Sequence, residues 1–95
     1  MKLGWSNLAR QDLEHLRRYS VNTWGVAVAR RYFEDIRDTA NAAAERPERA
    51  RLLRGDFRIQ RVRSHVLILH VDVGRERVTV ARVLHGAMDI ERHLP

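Results

Sequence analysis

The chain contains no cysteine, which excludes a disulfide framework and any thiolate metal site and fits a reducing compartment. No apolar run approaches the roughly 18 residues of a membrane span. The start, Met1-Lys2-Leu3-Gly4-Trp5, lacks the long apolar core of a signal peptide. A cytoplasmic protein without membrane contact is therefore the expectation. There is no glycine-rich phosphate loop, because Gly55 and Gly74 stand singly as turn residues. No set of His, Asp and Glu has zinc-like spacing, and His65 and His70 point to opposite faces of one strand. No cofactor and no metal is expected. No internal repeat is visible, and only Ala42–Ala44 approaches low complexity. Lysine is almost missing as well: Lys2 stands beside seventeen arginines.

What is present is charge, unevenly placed. The net charge is +6. Residues 1–45 hold seven basic and six acidic groups, whereas residues 46–95 hold eleven and six. The excess gathers in Arg46, Arg49, Arg51, Arg54, Arg58, Arg61 and Arg63, opposed only by Glu48 and Asp56. Such a patch attracts nucleic acid or an acidic protein, or is a solvated face in an arginine-rich chain. The length of 95 residues implies one domain over 1–95. A chain of this size buries only about 60–65% of its unfolded surface, so a partner that covers apolar surface would stabilise it.

Lys2–Trp5 can form a short strand, and Ser6 sits where a helix N-cap would. Leu8, Ala9, Leu13, Leu16 and Tyr19 then mark one apolar helical face, with Arg10, Asp12, Glu14, Arg17 and Arg18 largely on the other. His15 among them reads as solvated. Ser20-Val21-Asn22-Thr23 breaks the pattern, and Thr23 can cap a second helix. Ala29, Tyr32, Phe33, Ile36, Ala40 and Ala43 form a continuous stripe that predicts a helix over 24–45, closed by Pro47. At about 1.5 Å per residue it would be about 33 Å long, and the short connection predicts an antiparallel helical hairpin. Trp5 and Trp24 adjoin helix starts and read as packing anchors.

After a basic linker and Gly55, Phe57, Ile59 and Val62 predict a strand, and Arg63-Ser64 a turn. His65–Val73 predicts a strand with Leu67, Leu69, Val71 and Val73 on one face and Val66, Ile68, His70 and Asp72 on the other. Both faces are apolar at its start, which places it centrally. Gly74-Arg75-Glu76 fits a three-residue hairpin loop, and Arg77–Leu84 the next strand, with Val78, Val80 and Leu84 on the same face as Arg82. The fold class is α+β, in the order β-α-α-β-β-β: an antiparallel sheet packed against an antiparallel two-helix hairpin.

The last fourteen residues hold Arg82, His85, Asp89, Arg92 and His93, with Met88 among them. This cluster is a nuclease site, a binding epitope or a solvated tail. A nuclease needs a base for the 2′-hydroxyl, a cation for phosphorane-like charge and an acid for the leaving oxygen. Arg61, Arg82, His85 and His93 contain those groups, but spacing alone does not show that they converge. The plainer structural reading is that Arg82 pairs with an acid such as Asp89, while His85 and His93 make local hydrogen bonds.

Four blocks in order resemble the RelE/ParE superfamily of bacterial toxins, and its ParE branch in particular. They are Ala9 to Tyr19-Ser20 with Asp12 and Leu13; Trp24-Gly25-Val26 with Ala29 and Tyr32; Leu53-Arg54-Gly55 leading to Arg58 and Ser64-His65-Val66; and Arg82-Val83-Leu84-His85 with Met88-Asp89 and His93-Leu94. The chain departs from the ParE pattern where Asp56 precedes Phe57, and where Leu67-Ile68-Leu69-His70 replaces an aromatic pair. The resemblance implies the toxin of a type II toxin–antitoxin system, linked to growth inhibition and plasmid stability. It implies a cognate antitoxin whose acidic C-terminal segment wraps the toxin as a hetero-oligomer, and DNA gyrase as target, trapped with its DNA cut. A RelE-like ribosome-dependent mRNA endonuclease is the alternative. Arg54, Arg58, Arg61, Arg82, His85, Met88, Asp89, Arg92 and His93 are the candidate contacts to target or antitoxin, and no residue is assigned a catalytic role.

Overall fold

Residues 66–69 are apolar without alternation, and all four are buried, as a strand covered on both faces requires. A computed structural model describes residues 1–94 and places this strand at the centre of a five-stranded sheet. The elements are β1 (Lys2–Trp5), α1 (Asn7–Trp24), α2 (Val26–Glu45), β2 (Arg51–Arg54), β3 (Phe57–Val62), β4 (His65–Asp72) and β5 (Arg77–His85). Short 3-10 turns follow α2 at Pro47–Arg49 and β5 at Ile90–His93. The sheet order is β1-β5-β4-β3-β2. The pairs β2–β3, β3–β4 and β4–β5 are antiparallel.

The α+β class is the one the sequence predicts, with two departures in the sheet. Arg51–Arg54 is an edge strand rather than part of a linker, paired through a Gly55-Asp56 turn in which Gly55 has φ 55°. A glycine is favoured there because a Cβ opposes positive φ. In addition, β1 runs parallel to β5; the whole of α1 and α2 lies in the path between β1 and the rest of the sheet. The β4–β5 loop holds four residues, Val73–Glu76, and its positive φ falls on Glu76 rather than Gly74. Asp72 organises it by accepting the Arg75 N–H at 3.0 Å.

Ser6 caps α1 as expected. Its hydroxyl accepts the Ala9 N–H at 3.0 Å and donates to the Ala81 carbonyl at 2.7 Å, which ties the helix start to β5. The helix does not break at residues 20–23. Ser20 is buried, and its hydroxyl donates to the Leu16 carbonyl, so a polar residue continues the helix by satisfying itself locally. Gly25, not Thr23, separates the helices. Its φ of 88° and ψ of 168° lie in a region open essentially only to glycine, and this one residue reverses the chain. Tyr19 and Leu8, placed by spacing on the apolar face, are exposed; Ala9 and Leu16 are buried.

The sheet carries apolar clusters on both faces. Leu67, Leu69, Val78, Val80 and Val83 meet Ala9, Leu16, Tyr32, Ile36, Ala40 and Ala43 of the helices, with Trp5 packed alongside. Each fully buried aliphatic side chain here contributes about 1.5–3 kcal/mol. On the outer face Ile59, Val66, Ile68, Ala81 and Leu84 are covered by Ile90 and Leu94 of the tail. The register of β5 shifts against Ile68/Leu69. This bulge at Ala81 corrects the expected facing: Val83, not Leu84, joins Val78 and Val80 against the helices.

Candidate functional site

β1 covers β5 only as far as Val80. Beyond it, the free edge of β5 meets α1, and one carboxylate closes it. Asp12 accepts Arg82 Nε at 2.9 Å, Arg82 Nη2 at 3.0 Å and the Val83 N–H at 2.9 Å. The two side chains are only 18% (Arg82) and 14% (Asp12) exposed, so this is a bidentate pair largely out of water. The hydrogen bonds from Asp12 raise the Arg82 pKa above its ordinary value, and burial opposes the rise. The acid is thus Asp12 rather than Asp89, which instead pairs with Arg92 at 3.5 Å on the surface. Arg82 also donates through Nη1 to the His93 carbonyl at 3.3 Å, fastening the tail to the same point.

Beside this pair lies a groove of about 390 Å³ between the end of α1, the start of β4 and the end of β5. Its floor includes Leu16 and Val83, and its polar rim includes His15, His65, Arg82 and His85. Tyr19 and Trp24 flank it, 59% and 42% exposed. Trp24 packs in the hairpin rather than in the core: partly exposed, it sits between Tyr19 of α1 (5.8 Å) and Tyr32 of α2 (5.7 Å). The aromatic series continues through Tyr32–His65 (5.4 Å) to His65–His85 (5.4 Å), the last two being register partners across β4 and β5.

The Tyr32 hydroxyl accepts the Ser64 N–H at 3.2 Å and lies 2.6 Å from His65 Nδ1. This arrangement is satisfied when the hydroxyl donates to a neutral imidazole. Burial, and secondarily the neighbouring His85, lowers the His65 pKa and favours the same form. His85 Nδ1 accepts the Ala87 N–H at 3.1 Å, the local bond foreseen for it. Arg63, at φ 53°, holds its turn against α2 through Asp35 (2.6 Å) and lies 5.2 Å from the Tyr32 ring. As strand alternation requires, His70 faces the other way and meets Phe57 edge-on at 5.2 Å.

The sequence candidates divide into separate places. Arg82, His85 and Met88 line this groove. Arg61 lines another, of about 530 Å³ on the opposite face of the sheet, with Arg49, Arg51, Gly86 and Ile90. Arg54 is exposed at the end of β2, while Arg58 is half-buried and donates to the Ala50 carbonyl at 2.8 Å. Asp89 and Arg92 are exposed, and His93 is half-buried. Asp12, His15, Tyr19, Trp24 and His65 were not among the candidates. The signal that could have marked Asp12 is an acidic residue one turn from Ala9 and Leu16, close to the buried stripe of α1. Among the described residues no three His, Cys, Asp or Glu side chains gather so as to hold a metal ion, and no helix is long and apolar enough to cross a membrane.

The family model for the ParE toxin of type II toxin–antitoxin systems, parDE, matches residues 3–90. The chain belongs to the ParE toxin family. Toxin ParE1 of Caulobacter vibrioides is 35% identical over 92 residues, spanning 94% of this chain and 93% of that protein. Toxin ParE1 of Mycobacterium tuberculosis is 32% identical over 92 residues, with the same coverage. Among solved structures, a chain of the chromosomal ParDE system from P. aeruginosa superposes with a TM-score of 0.76 at 16% identity, covering 90% of this chain and 95% of that one. The isolated E. coli RelE toxin gives 0.63 at 17% identity, covering 98% of each. These likenesses establish the fold of the ParE and RelE toxins for this family member.

Proposed function

We propose that this ParE-family toxin acts by gripping DNA gyrase, trapping it with its DNA cut, and that a cognate antitoxin neutralises it. The observation that carries the binding reading is the division of the polar candidates between two faces. Arg82 is spent on Asp12 and the His93 carbonyl, His85 rims the helix-side groove, and Arg61 lies in the outer groove. Phosphodiester cleavage needs a base, an acid and a charge-stabilising cation within about 3 Å of one reacting centre. A macromolecular contact needs something else: exposed aromatic anchors over a partly apolar groove. Tyr19 and Trp24 supply them, with the exposed thioether of Met88 beside them.

The antitoxin reading draws on this aromatic flank and on the arginines outside the groove. An acidic segment that folds on binding would bury Tyr19 and Trp24 and be steered by the arginines of residues 46–63. Arg54 and Arg61, both exposed, are the proposed steering charges, whereas Arg58 works inside the fold through Ala50. The RelE-like endonuclease remains a second reading on one observation, the three imidazoles of His15, His65 and His85 on one groove beside Arg82. One experiment separates the two. Purified toxin is added to gyrase with supercoiled plasmid, and in parallel to a translating extract with primer-extension readout. Accumulation of linear, gyrase-linked DNA with intact message supports the gyrase reading. Cut message with unaffected plasmid overturns it.

A further inference from the structure

The outer face of the sheet carries a feature that the helix-side groove does not use. Arg51 is the register partner of Ile59, and Arg61 lies two residues beyond Ile59 on the same strand. Both therefore share the outer face with Ile59, as diagonal neighbours about 7–8 Å apart. Arg49 joins them at the rim, and the groove they line, about 530 Å³, contains no acidic residue. It adjoins a second groove of about 350 Å³ between the end of α2, the 3-10 turn and β3, lined by Arg46, Arg49 and Gln60 with a single acid, Glu45. Among the described residues, none of Arg46, Arg49, Arg51 and Arg61 forms an ion pair, although seven other cations do. The scaffold under them is fixed: Arg58 holds the Ala50 carbonyl between Arg49 and Arg51, and Gly86 lets the tail backbone approach the Arg61 guanidinium, where a Cβ would stand 3.2 Å from it.

Four like charges at one sheet corner repel one another and are stabilised by an anion among them. The groove lining also lacks an aromatic face, so bases would have nothing to stack on. We infer that this corner, Arg46, Arg49, Arg51 and Arg61, is a binding site for the phosphate backbone of double-stranded DNA, read without regard to sequence. The contact is independent of which enzyme the toxin acts on.

The test is fluorescence anisotropy of the full chain with two labelled duplexes of unrelated sequence, across a salt series. Four phosphate contacts give a slope of log K on log salt of about −3.6, so affinity falls about a hundredfold between about 50 and 200 mM salt. Arg49→Gln/Arg51→Gln/Arg61→Gln leaves a slope of about −0.9 and only about a fourfold fall over the same range. The charge-matched control Arg10→Gln/Arg30→Gln/Arg31→Gln removes three exposed helix cations and should bind as the parent does. Circular dichroism melts confirm that both variants fold. An equal loss in the control would show diffuse net charge and overturn the site. Tighter binding of single-stranded RNA, or of polyglutamate, through the same three arginines would overturn duplex DNA as the ligand.

Discussion

Replacing Asp12 by alanine should be the most damaging single change at a polar residue in this fold. The carboxylate serves three donors at 2.9, 3.0 and 2.9 Å. Its loss leaves the Val83 N–H on a strand edge without a partner, at a cost of about 1–3 kcal/mol. It also leaves the Arg82 guanidinium mostly out of water without its counter-charge. Full burial would make that loss about 3–5 kcal/mol, but the remaining exposure lets water recover part of it. Together the loss should be about 2–4 kcal/mol, or roughly 10–30 °C in Tm for a domain of this size. Asp38→Ala is the matched control. Asp38 also pairs with an arginine, but at 68% exposure, where an ion pair contributes about 0–1 kcal/mol. Urea unfolding followed by circular dichroism measures both, and an unchanged m-value keeps the comparison valid. Asp12→Asn, which retains an acceptor for Val83, should fall between. If Asp12→Ala and Asp38→Ala lie within about 0.5 kcal/mol of each other, the edge-closing role of Asp12 is wrong.

Three further outcomes follow from the geometry. His65 has a folded pKa below its ordinary 6.5, so the unfolded chain binds this proton more readily and stability falls as pH drops below that value. Melting curves from neutral to mildly acidic pH should show that loss in the parent and a smaller one in His65→Gln; identical profiles would refute it. Gly25→Ala should destabilise by about 1–3 kcal/mol although no atom lies within 4 Å of the added Cβ, and an unchanged urea midpoint would contradict the backbone argument. Ser6→Ala removes both the cap of α1 and its tie to Ala81 and should lose about 1–2 kcal/mol in the same titration.

The parts of the fold legible in the sequence were those set by one strong local signal. Residues 66–69 announced a central strand because four consecutive apolar residues bounded by turn signals fit a strand buried on both faces. Ser6 announced a cap, and Ala29 to Ala43 a helix. The parts that were not legible depend on partners distant in the chain. Arg51-Leu52-Leu53-Arg54 is a strand because β3 pairs with it; alone it carries no alternation. Asp12 looked solvated because α1 is amphipathic only on average, and its partner lies 70 residues away. The bulge at Ala81 is invisible in a run of small and branched residues, yet it decides which of Val83 and Leu84 meets the helices. Of the groove's lining, the sequence candidates include Arg82, His85 and Met88 but not the aromatic flank at Tyr19 and Trp24, because exposed aromatics at helical spacing imitate a core stripe.

The most direct measurement is growth inhibition by induced His85→Ala/His93→Ala in cells lacking the antitoxin, with soluble folded protein verified by circular dichroism. A surface that works by holding another macromolecule predicts that arrest persists, within a few-fold of the parent dose. Complete loss of arrest by folded protein, together with message cleavage by the parent that the variant no longer shows, would mean that those imidazoles move protons, and would contradict the account.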